Sequence, residues 1–334
     1  MRKKVLLVRP KPTSFTNMDL RILRKAFDVT FIDFGFFRID PVKFIRSIFA
    51  VVFKAKSVDL IYTWFADFHS LISLVIAKVF GKKFIVVLGG YELARIEEIL
   101  YGSMLSPIKS RMVRILIDKA DLVIAVDESL AKEAAELSSS NGKNIITIPT
   151  SYDPDQFFPS DKKADIVLSV AFCENWQRVR LKGLDLFVEA AKFLPNVNFI
   201  AIGARDEAME KLKGLSPPNV MILPPVPQDE LVPYYQQAKV YCQLSMREGL
   251  PNALCEAMLC ECVPVGTKVG GIPMVIGDTG YIICTADAKR VADAIEKGLN
   301  SNNGHAARER IVSRFSISQR EQNLIRKLNE LLGM

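Results

Sequence analysis

Short hydrophobic runs alternate with longer amphipathic segments along the whole chain. Apolar runs of three to six residues, bounded by turn residues, predict buried strands, and the segments between them predict helices. The strands form two successive series of six. The first series is Val5–Val8, Val29–Ile32, Leu60–Tyr62, Phe84–Leu88, Leu122–Val126 and Ile145–Ile148. The second series is Ile166–Val170, Val197–Ile202, Val220–Leu223, Val240–Leu244, Val263–Val265 and Gly280–Cys284.

Strands that alternate with helices indicate mostly parallel sheets, because parallel neighbours are usually joined by a helical crossover. Two such series predict two doubly wound α/β domains, each with a ligand site outside the carboxyl ends of its strands. A length of 334 residues is enough for two separate cores. The predicted parts are a first domain at 1–150, a linker at 151–164, a second domain at 165–315 and a C-terminal helix within 316–334.

Two carboxylates stand eight residues apart around a predicted loop-to-helix junction in the second domain. Glu248 lies in the loop, and Pro251 marks the start of a helix over Asn252–Met258. Glu256 then lies about one and a half turns inside that helix. A helix start binds anions through its unpaired N–H groups and its positive dipole end. A ligand that carries both phosphates and hydroxyls, such as a nucleotide sugar, suits this junction.

The segment Ser245–Gly271 resembles the E-x7-E signature of the retaining glycosyltransferases of family 4. Glu248 and Glu256 occupy its two acidic positions. Upstream, Lys182-Gly183 resembles the phosphate-binding turn of the same family. The resemblance is strong over about residues 145–332 and thin over the first 145.

This resemblance implies the GT-B fold, in which two Rossmann-like doubly wound domains face each other across a cleft. The C-terminal helix, predicted over Ser318–Leu332, would return to the N-terminal domain, and Arg320 resembles a residue of that closing helix. The first domain would bind the acceptor and the second the nucleotide sugar. The implied function is transfer of a sugar from a nucleotide-diphosphate sugar to a glycan, lipid-linked or other hydroxyl acceptor.

The resemblance also implies roles for three charged side chains. Lys182 is expected to stabilise the charge that grows on the leaving diphosphate. Glu256 is expected to accept hydrogen bonds from the ribose hydroxyls, and Glu248 to meet the transferred sugar. Retaining enzymes of this fold lack an obvious nucleophile, so the implied mechanism is front-face displacement without a metal or another cofactor.

A second cation usually precedes the lysine in this family, but position 177 is Gln. Arg178 or Arg180, in a predicted loop over 173–180, is expected to take its place, and Arg178 is favoured. Further donor contacts are expected at Gly249, Leu250, Asn252, Ala253 and Val226.

The first domain departs from the family pattern. A histidine that often follows the fourth strand is replaced by Gly89-Gly90-Tyr91-Glu92. Gly90 and Tyr91 are expected to contact the sugar through their backbone. Glu92, His69 and Ser14 are acceptor-side candidates, and the alternative for His69 is a capping or packing role.

Positive charge is concentrated in the first half of the chain. Residues 1–164 hold 25 basic and 18 acidic residues, and the remainder holds 19 of each. Such a face attracts nucleic acid, anionic lipid or an anionic acceptor, and without a nucleic-acid-binding motif we expect no nucleic-acid partner. Segments Phe44–Lys56 and Met104–Lys119 mix apolar and basic residues. They are either core-facing helices with solvated basic faces or helices that lie on an anionic membrane surface.

Neither a membrane-spanning run of about 20 apolar residues nor a signal peptide is present, so we expect a cytoplasmic protein, with peripheral attachment to the inner membrane face as an alternative. The six cysteines have no C-x-x-C spacing and are expected to be buried free thiols. Asp153-Pro154-Asp155 has a metal-binding spacing but is expected to form a turn.

Three functional alternatives remain at the level of sequence. A sugar phosphorylase or a nucleotide-sugar epimerase could share this fold and donor site. A non-catalytic nucleotide-sugar binding protein is compatible with the missing histidine.

Overall fold

The computed structural model describes residues 2–35 and 39–334. The chain divides into two compact units, which we call unit 1 (1–151 with 317–334) and unit 2 (152–316). Each unit contains one six-stranded sheet whose paired strands are all parallel. All twelve predicted strands are present, and their ends differ from the predicted ends by three residues or fewer.

Unit 1 follows the expected alternation of strands and helices. Its elements are β1 Lys4–Arg9, α1 Ser14–Ala26, β2 Asp28–Asp33, α2 Pro41–Ala55, β3 Leu60–Trp64, α3 Phe68–Val79, β4 Lys83–Leu88, α4 Pro107–Lys119, β5 Leu122–Ala125, α5 Glu128–Leu137, β6 Ile145–Thr147 and α14 Ile317–Leu332. Three single-turn 3-10 helices connect β4 to α4. The strand order is β2-β1-β3-β4-β5-β6, so the winding direction reverses between β1 and β3.

Unit 2 repeats this architecture with a different strand order. Its elements are β7 Ala164–Cys173, α6 Trp176–Lys182, α7 Leu184–Ala191, β8 Asn198–Ala204, α8 Asp206–Leu215, β9 Val220–Leu223, α9 Val232–Gln237, β10 Ala238–Gln243, α10 Asn252–Leu259, β11 Val263–Thr267, α11 Ile272–Ile276, β12 Tyr281–Ile283, α12 Ala288–Leu299 and α13 Gly304–Arg314. The order is β12-β11-β10-β7-β8-β9, and the winding direction reverses between β7 and β10.

The C-terminal helix α14 belongs to unit 1, as predicted, and packs against α1. Arg320 of α14 is buried and forms an ion pair with the buried Asp19 of α1, with Nε 2.6 Å from Oδ1. Its Nη1 donates to the carbonyl oxygen of Ile148 at 2.9 Å. Tyr62 and Trp64 also donate to Asp19. This network satisfies both buried charges and fixes α14 on the unit.

Two sequence predictions about local structure are wrong. The segment after β7, predicted as a loop over 173–180, contains the helix α6, whose N-terminus is capped by the side chain of Asn175 accepting from the amide of Arg178. Cys284 is exposed, because it follows the last strand of the sheet, whereas the other five cysteines are buried.

Among the residues that the structure describes, no helix combines the length and the apolar character needed to cross a bilayer.

Candidate functional site

The carboxyl ends of β7 and β10 form the topological switch point of unit 2. The chain leaves these neighbouring strands toward opposite sides of the sheet, which opens a crevice where ligands bind in doubly wound folds. The segment after β7 carries Lys182, and the segment after β10 carries Glu248. Topology therefore brings together two residues that are 66 positions apart in the sequence.

Gly183 allows these two segments to approach closely. It joins α6 to α7 with a φ of +69°, a left-handed conformation that favours glycine. A Cβ atom there would collide with the carbonyl group of Leu244. Beside it, the amide of Met246 donates to the carbonyl oxygen of Leu181 at 2.8 Å. The predicted Lys182-Gly183 turn is thus a helix-to-helix junction that packs on the loop of Glu248.

Glu248 is held by three donors that converge on one of its oxygens. Lys182 Nζ lies 2.6 Å from Oε1, and the hydroxyl of Ser245 donates to Oε1 at 2.7 Å. Gln243 Nε2 donates to the same atom at 3.0 Å. Gln243 and Ser245 are buried, whereas Lys182 is partly exposed. The arrangement fixes the carboxylate beside an ammonium group, and none of these three donors occupies Oε2.

Gln243 and Ser245 were missed in the sequence. The signal that could have revealed them is the change from an apolar strand to polar residues at the carboxyl end of β10, directly before Glu248. Side chains at that edge of a doubly wound sheet face the ligand crevice.

The glycine pair at 270 and 271 also supports the loop of Glu248. Gly270 has a φ of +52°, and a Cβ atom at this position would collide with the carbonyl oxygen of Glu248. The amide of Gly271 donates to the carbonyl oxygen of Gly249 at 3.0 Å. Close backbone packing against the site loop therefore accounts for Gly270.

Glu256 lies inside α10 as predicted, but its surroundings are apolar and neutral. Its side chain is buried, and it accepts hydrogen bonds from Gln228 Nε2 at 2.5 Å and from the hydroxyl of Tyr235 at 3.1 Å. Burial raises the pKa of Glu256 to about 6, and these two hydrogen bonds act to lower it. Gln228 lies in the loop after β9 that also contains the predicted base-binding residue Val226. This loop and the carboxylate are therefore directly linked.

The two candidate arginines lie on different faces of the helix α6. Arg178 and Lys182 are four residues apart and share one face of the helix, whereas Arg180 points away from that face. Burial raises the pKa of the Cys173 thiol to about 12, and the nearby charges of Lys182 and Arg178 act to lower it. Arg180 instead lies near Asp185, whose pKa is raised by burial and lowered by that arginine. Helix geometry favours Arg178 as the partner of Lys182.

Two helix N-termini lie at this end of the sheet, and in the described chain neither α7 nor α10 has a side-chain cap. In α7 the carboxylate of Asp185 accepts from the amides of Asp185 and Leu186 in the first turn. The first turn of α10 contains no acidic residue, so its amides lack the acceptor that a capping residue would supply. Asn252 and Ala253 begin α10, and its neighbours Gly249 and Leu250 are buried in the preceding loop. The side chain of Asn252 accepts from the hydroxyl of Tyr152 at 2.7 Å, which fixes the first turn.

In unit 1, Glu92 is an anchor for two loops. It is buried, and its carboxylate accepts from the amides of Gly89 at 3.1 Å, Gly90 at 2.7 Å and Ala66 at 3.2 Å. Burial raises the pKa of Glu92, and these amides act to lower it. The bonds tie the loop after β4 to the loop after β3. Tyr91, next to it, is exposed.

The other two candidates of unit 1 differ in exposure. His69 is buried at the start of α3, where its Nε2 lies 2.7 Å from the carbonyl oxygen of Trp64, and burial lowers its pKa. These contacts match the packing alternative. Ser14 is exposed at the first position of α1, directly after the capping residue Thr13.

Among the described residues, no group of three or more His, Cys, Asp or Glu side chains could hold a metal ion. Asp153 Oδ1 accepts from the amide of Asp155 at 3.0 Å, the short-range bond of an Asx turn.

Part of unit 2 matches a known protein family. Residues 168–301, all within unit 2, match the model of a family described as "Glycosyl transferases group 1". Over that region the chain resembles glycosyltransferases. The match confirms the predicted resemblance at this coarser level.

Two solved structures have the same architecture. Sucrose-phosphate synthase from Thermosynechococcus elongatus has a TM-score of 0.79 at 17% identity, with 99% of this chain and 100% of that chain covered. Anabaena HepE in complex with UDP-glucose has a TM-score of 0.78 at 15% identity, with 98% and 99% covered. The fold is GT-B. The predicted fold class is therefore confirmed.

A relative by sequence is the N-acetyl-alpha-D-glucosaminyl L-malate synthase of Bacillus anthracis. It is 27% identical over 312 residues, which cover 86% of this chain and 79% of that protein. The similarity to this relative thus extends well beyond the residues that match the family model.

Proposed function

We propose that this protein is a retaining glycosyltransferase that uses a nucleotide-diphosphate sugar as donor and needs no metal. The observation that supports this most is the ion pair of Lys182 with Glu248 at the switch point of unit 2, with Glu256 in the adjoining helix. A cation, the uncapped start of α10 and two carboxylates form one set of groups. They match the diphosphate, ribose and sugar parts of such a donor.

In this proposal, unit 2 binds the donor. Lys182 and Arg178 neutralise the diphosphate, together with the amides at the start of α10. Glu256 accepts hydrogen bonds from the ribose hydroxyls, and the loop of Val226 holds the base. The match of unit 2 to glycosyltransferases and the UDP-glucose bound by HepE support this assignment.

The reaction breaks the bond between the anomeric carbon and the diphosphate oxygen, and the electron pair stays on that oxygen. Lys182 stabilises the growing negative charge. The acceptor oxygen bonds to the same face of the anomeric carbon, and its proton passes to the leaving diphosphate. Glu248 binds the sugar hydroxyls and stabilises positive charge at the anomeric carbon. The fixed position of Glu248 favours the reaction, because catalysis requires that the reacting groups are held in a defined relative orientation.

Unit 1 supplies the acceptor side in this proposal, through the ends of β1 and β4. Ser14 and Tyr91 are exposed there, and the backbone of Gly90 is held by Glu92. The acceptor is a hydroxyl compound that carries negative charge. The positive excess of the first half of the chain supports this, as does the relative whose name contains L-malate.

The test uses the full-length protein with a panel of UDP-, GDP- and ADP-sugars. Each donor is incubated with and without L-malate and other anionic hydroxyl compounds, and release of nucleoside diphosphate is measured. The anomeric configuration of the product is read by NMR. We expect acceptor-dependent release from one donor class and a product with the configuration of the donor.

Failure to release diphosphate from any donor that binds would contradict catalysis and indicate a binding protein. An inverted product would contradict the retaining mechanism. Epimerised donor or phosphate-dependent release would indicate one of the other two enzyme classes.

A further inference from the structure

Three helices of unit 1 form a continuous outer layer on one face of its sheet. The crossovers from β2 to β5 run in one direction, so their right-handedness places α2, α3 and α4 on the same face. The helix α2 packs against α3, and α3 packs against α4. Val51 of α2, Ala77 of α3 and Val113 of α4 are fully buried on the inner side. The opposite sides of these helices are the surface of the unit.

The helix α2 carries an apolar stripe on this outer surface. Its members recur at spacings of three and four residues, which places them on one face of a helix. Phe49 is 69% exposed and Phe53 is 77% exposed, which are high values for phenylalanine. We call this set the α2 stripe, and it consists of Val42, Ile45, Phe49 and Phe53.

The neighbouring helices extend the apolar surface. Val75 and Val79 of α3 are 56% and 74% exposed, and Ile108 of α4 is 72% exposed. Large apolar side chains exposed on adjacent helices are unusual for a surface that faces only water and indicate an interaction site.

These three helices are strongly basic, whereas α5, which the same crossover direction places beside α4, carries three Glu and one Lys. The helix α2 carries three Lys or Arg residues, α3 carries one and α4 carries four, against one acidic residue in all three helices together. The acidic residue, Asp118, accepts hydrogen bonds from Ser138 and Ser139. The eight basic residues are Lys43, Arg46, Lys54, Lys78, Lys109, Arg111, Arg114 and Lys119.

We propose that this layer docks unit 1 on an anionic lipid bilayer. The α2 stripe enters the boundary between head groups and acyl chains, as the apolar face of an interfacial helix does. Lys43, Arg46 and Lys54 lie at the side of the stripe, at the level of the anionic head groups, which attract them.

The positive charge of the layer favours an anionic bilayer over a second copy of the chain as its partner. A symmetric dimer through the layer would place two strongly basic surfaces against each other, which costs free energy. A bilayer instead offers both the apolar interior and the negative surface that the layer matches. The docking does not depend on the proposed glycosyl transfer, and binding can be measured without donor or acceptor.

The test is co-sedimentation of the full-length protein with vesicles at low ionic strength. One vesicle type is phosphatidylcholine alone, and the other also contains phosphatidylglycerol. We expect binding to the anionic vesicles, and a partition coefficient lower by about tenfold or more on neutral vesicles or at high ionic strength.

The double variant Phe49→Ser, Phe53→Ser is expected to bind anionic vesicles more weakly by about tenfold or more. Its thermal unfolding midpoint should stay close to that of the wild type, because both side chains are exposed. The matched control is Phe193→Ser, which removes a phenylalanine that is 48% exposed in unit 2 and should bind like the wild type.

The proposal is overturned if the wild-type protein stays in the supernatant when it is mixed with anionic vesicles. This result would also be seen if the layer binds an acidic protein and not a bilayer. Wild-type binding by the double variant would also overturn the proposal. A third contradicting result is a wild-type protein that does not bind vesicles but forms a dimer, with the double variant monomeric.

Discussion

Glu248 and Glu256 are both carboxylates near one helix start, yet their surroundings give them different properties. Glu248 accepts from the ammonium group of Lys182, which stabilises its charge. Among the described residues, the donors to Glu256 are the neutral side chains of Gln228 and Tyr235. Glu256 is therefore costly to ionise in the folded protein, whereas the proposed ribose contact is strongest with its charged form.

The raised pKa of Glu256 predicts a stabilising substitution. Its folded pKa is about 6 against an ordinary value of 4.5, so the folded state keeps the proton to higher pH than the unfolded state. Stability then falls as pH rises through this window, and the loss, about 1–2 kcal/mol, is complete above pH 6. Glu256→Gln cannot ionise and is expected to be more stable than the wild type at pH 7 by about that amount.

Urea unfolding of both proteins at pH 7 and at pH 4.5 measures this difference. The gain should be largely lost at pH 4.5, where the wild-type carboxyl is protonated in the folded state. A Glu256→Gln variant that is no more stable than the wild type at pH 7 would contradict a buried site that raises the pKa of Glu256. The same variant should bind the donor more weakly, which is the usual conflict between stability and function.

At the scale of elements, α6 decides which arginine accompanies Lys182. Arg178→Gln is expected to reduce donor-dependent diphosphate release by about tenfold or more, since a cation near a phosphate contributes on the order of 4 kcal/mol before desolvation. Arg180→Gln, on the other side of the helix, is the matched control and should stay within about threefold of the wild type. Steady-state kinetics of the two variants test this. A larger loss in Arg180→Gln would show that the helix presents the other face to the ligand.

The helix α14 is held on unit 1 by the buried pair of Arg320 and Asp19. Arg320→Leu leaves Asp19 as an uncompensated buried charge and is expected to destabilise the protein by about 3–5 kcal/mol. Arg326→Leu, in the same helix, breaks an exposed pair with Glu330 and should cost less than about 1 kcal/mol. Thermal unfolding of both variants is the measurement. Equal losses in the two would mean that the buried network does not fix α14.

The alternation of strands and helices was predictable because strand periodicity depends on local apolar runs. The helix α6 was not, because its seven residues carry few apolar positions and its start depends on the cap from Asn175. Gln243 and Ser245 lie five and three residues before Glu248, so the polar end of β10 could have indicated them. That both side chains donate to one oxygen of Glu248 depends on how the chain turns after β10, which the pattern of apolar and polar residues does not encode.

At the scale of the whole molecule, the two units differ in how much the sequence says about them. The groups proposed to bind the donor lie in unit 2, where the family match also lies, and their spacing was visible in the chain. In unit 1 the loops after β3 and β4 are tied together by Glu92, which accepts from Gly89 and Gly90 in its own loop and from Ala66 in the other. Such contacts arise only in the folded unit, so its candidate acceptor residues stay predictions.

The central claim is that the carboxylate fixed at the switch point of unit 2 acts in sugar transfer. The most direct measurement is diphosphate release by the wild type and by Glu248→Gln on a donor that the wild type uses, with donor binding measured by titration. We predict a kcat lower by about tenfold or more, with a donor Kd within about threefold of the wild type and an unchanged unfolding midpoint. Wild-type turnover by the folded variant would remove Glu248 from the site and contradict the account.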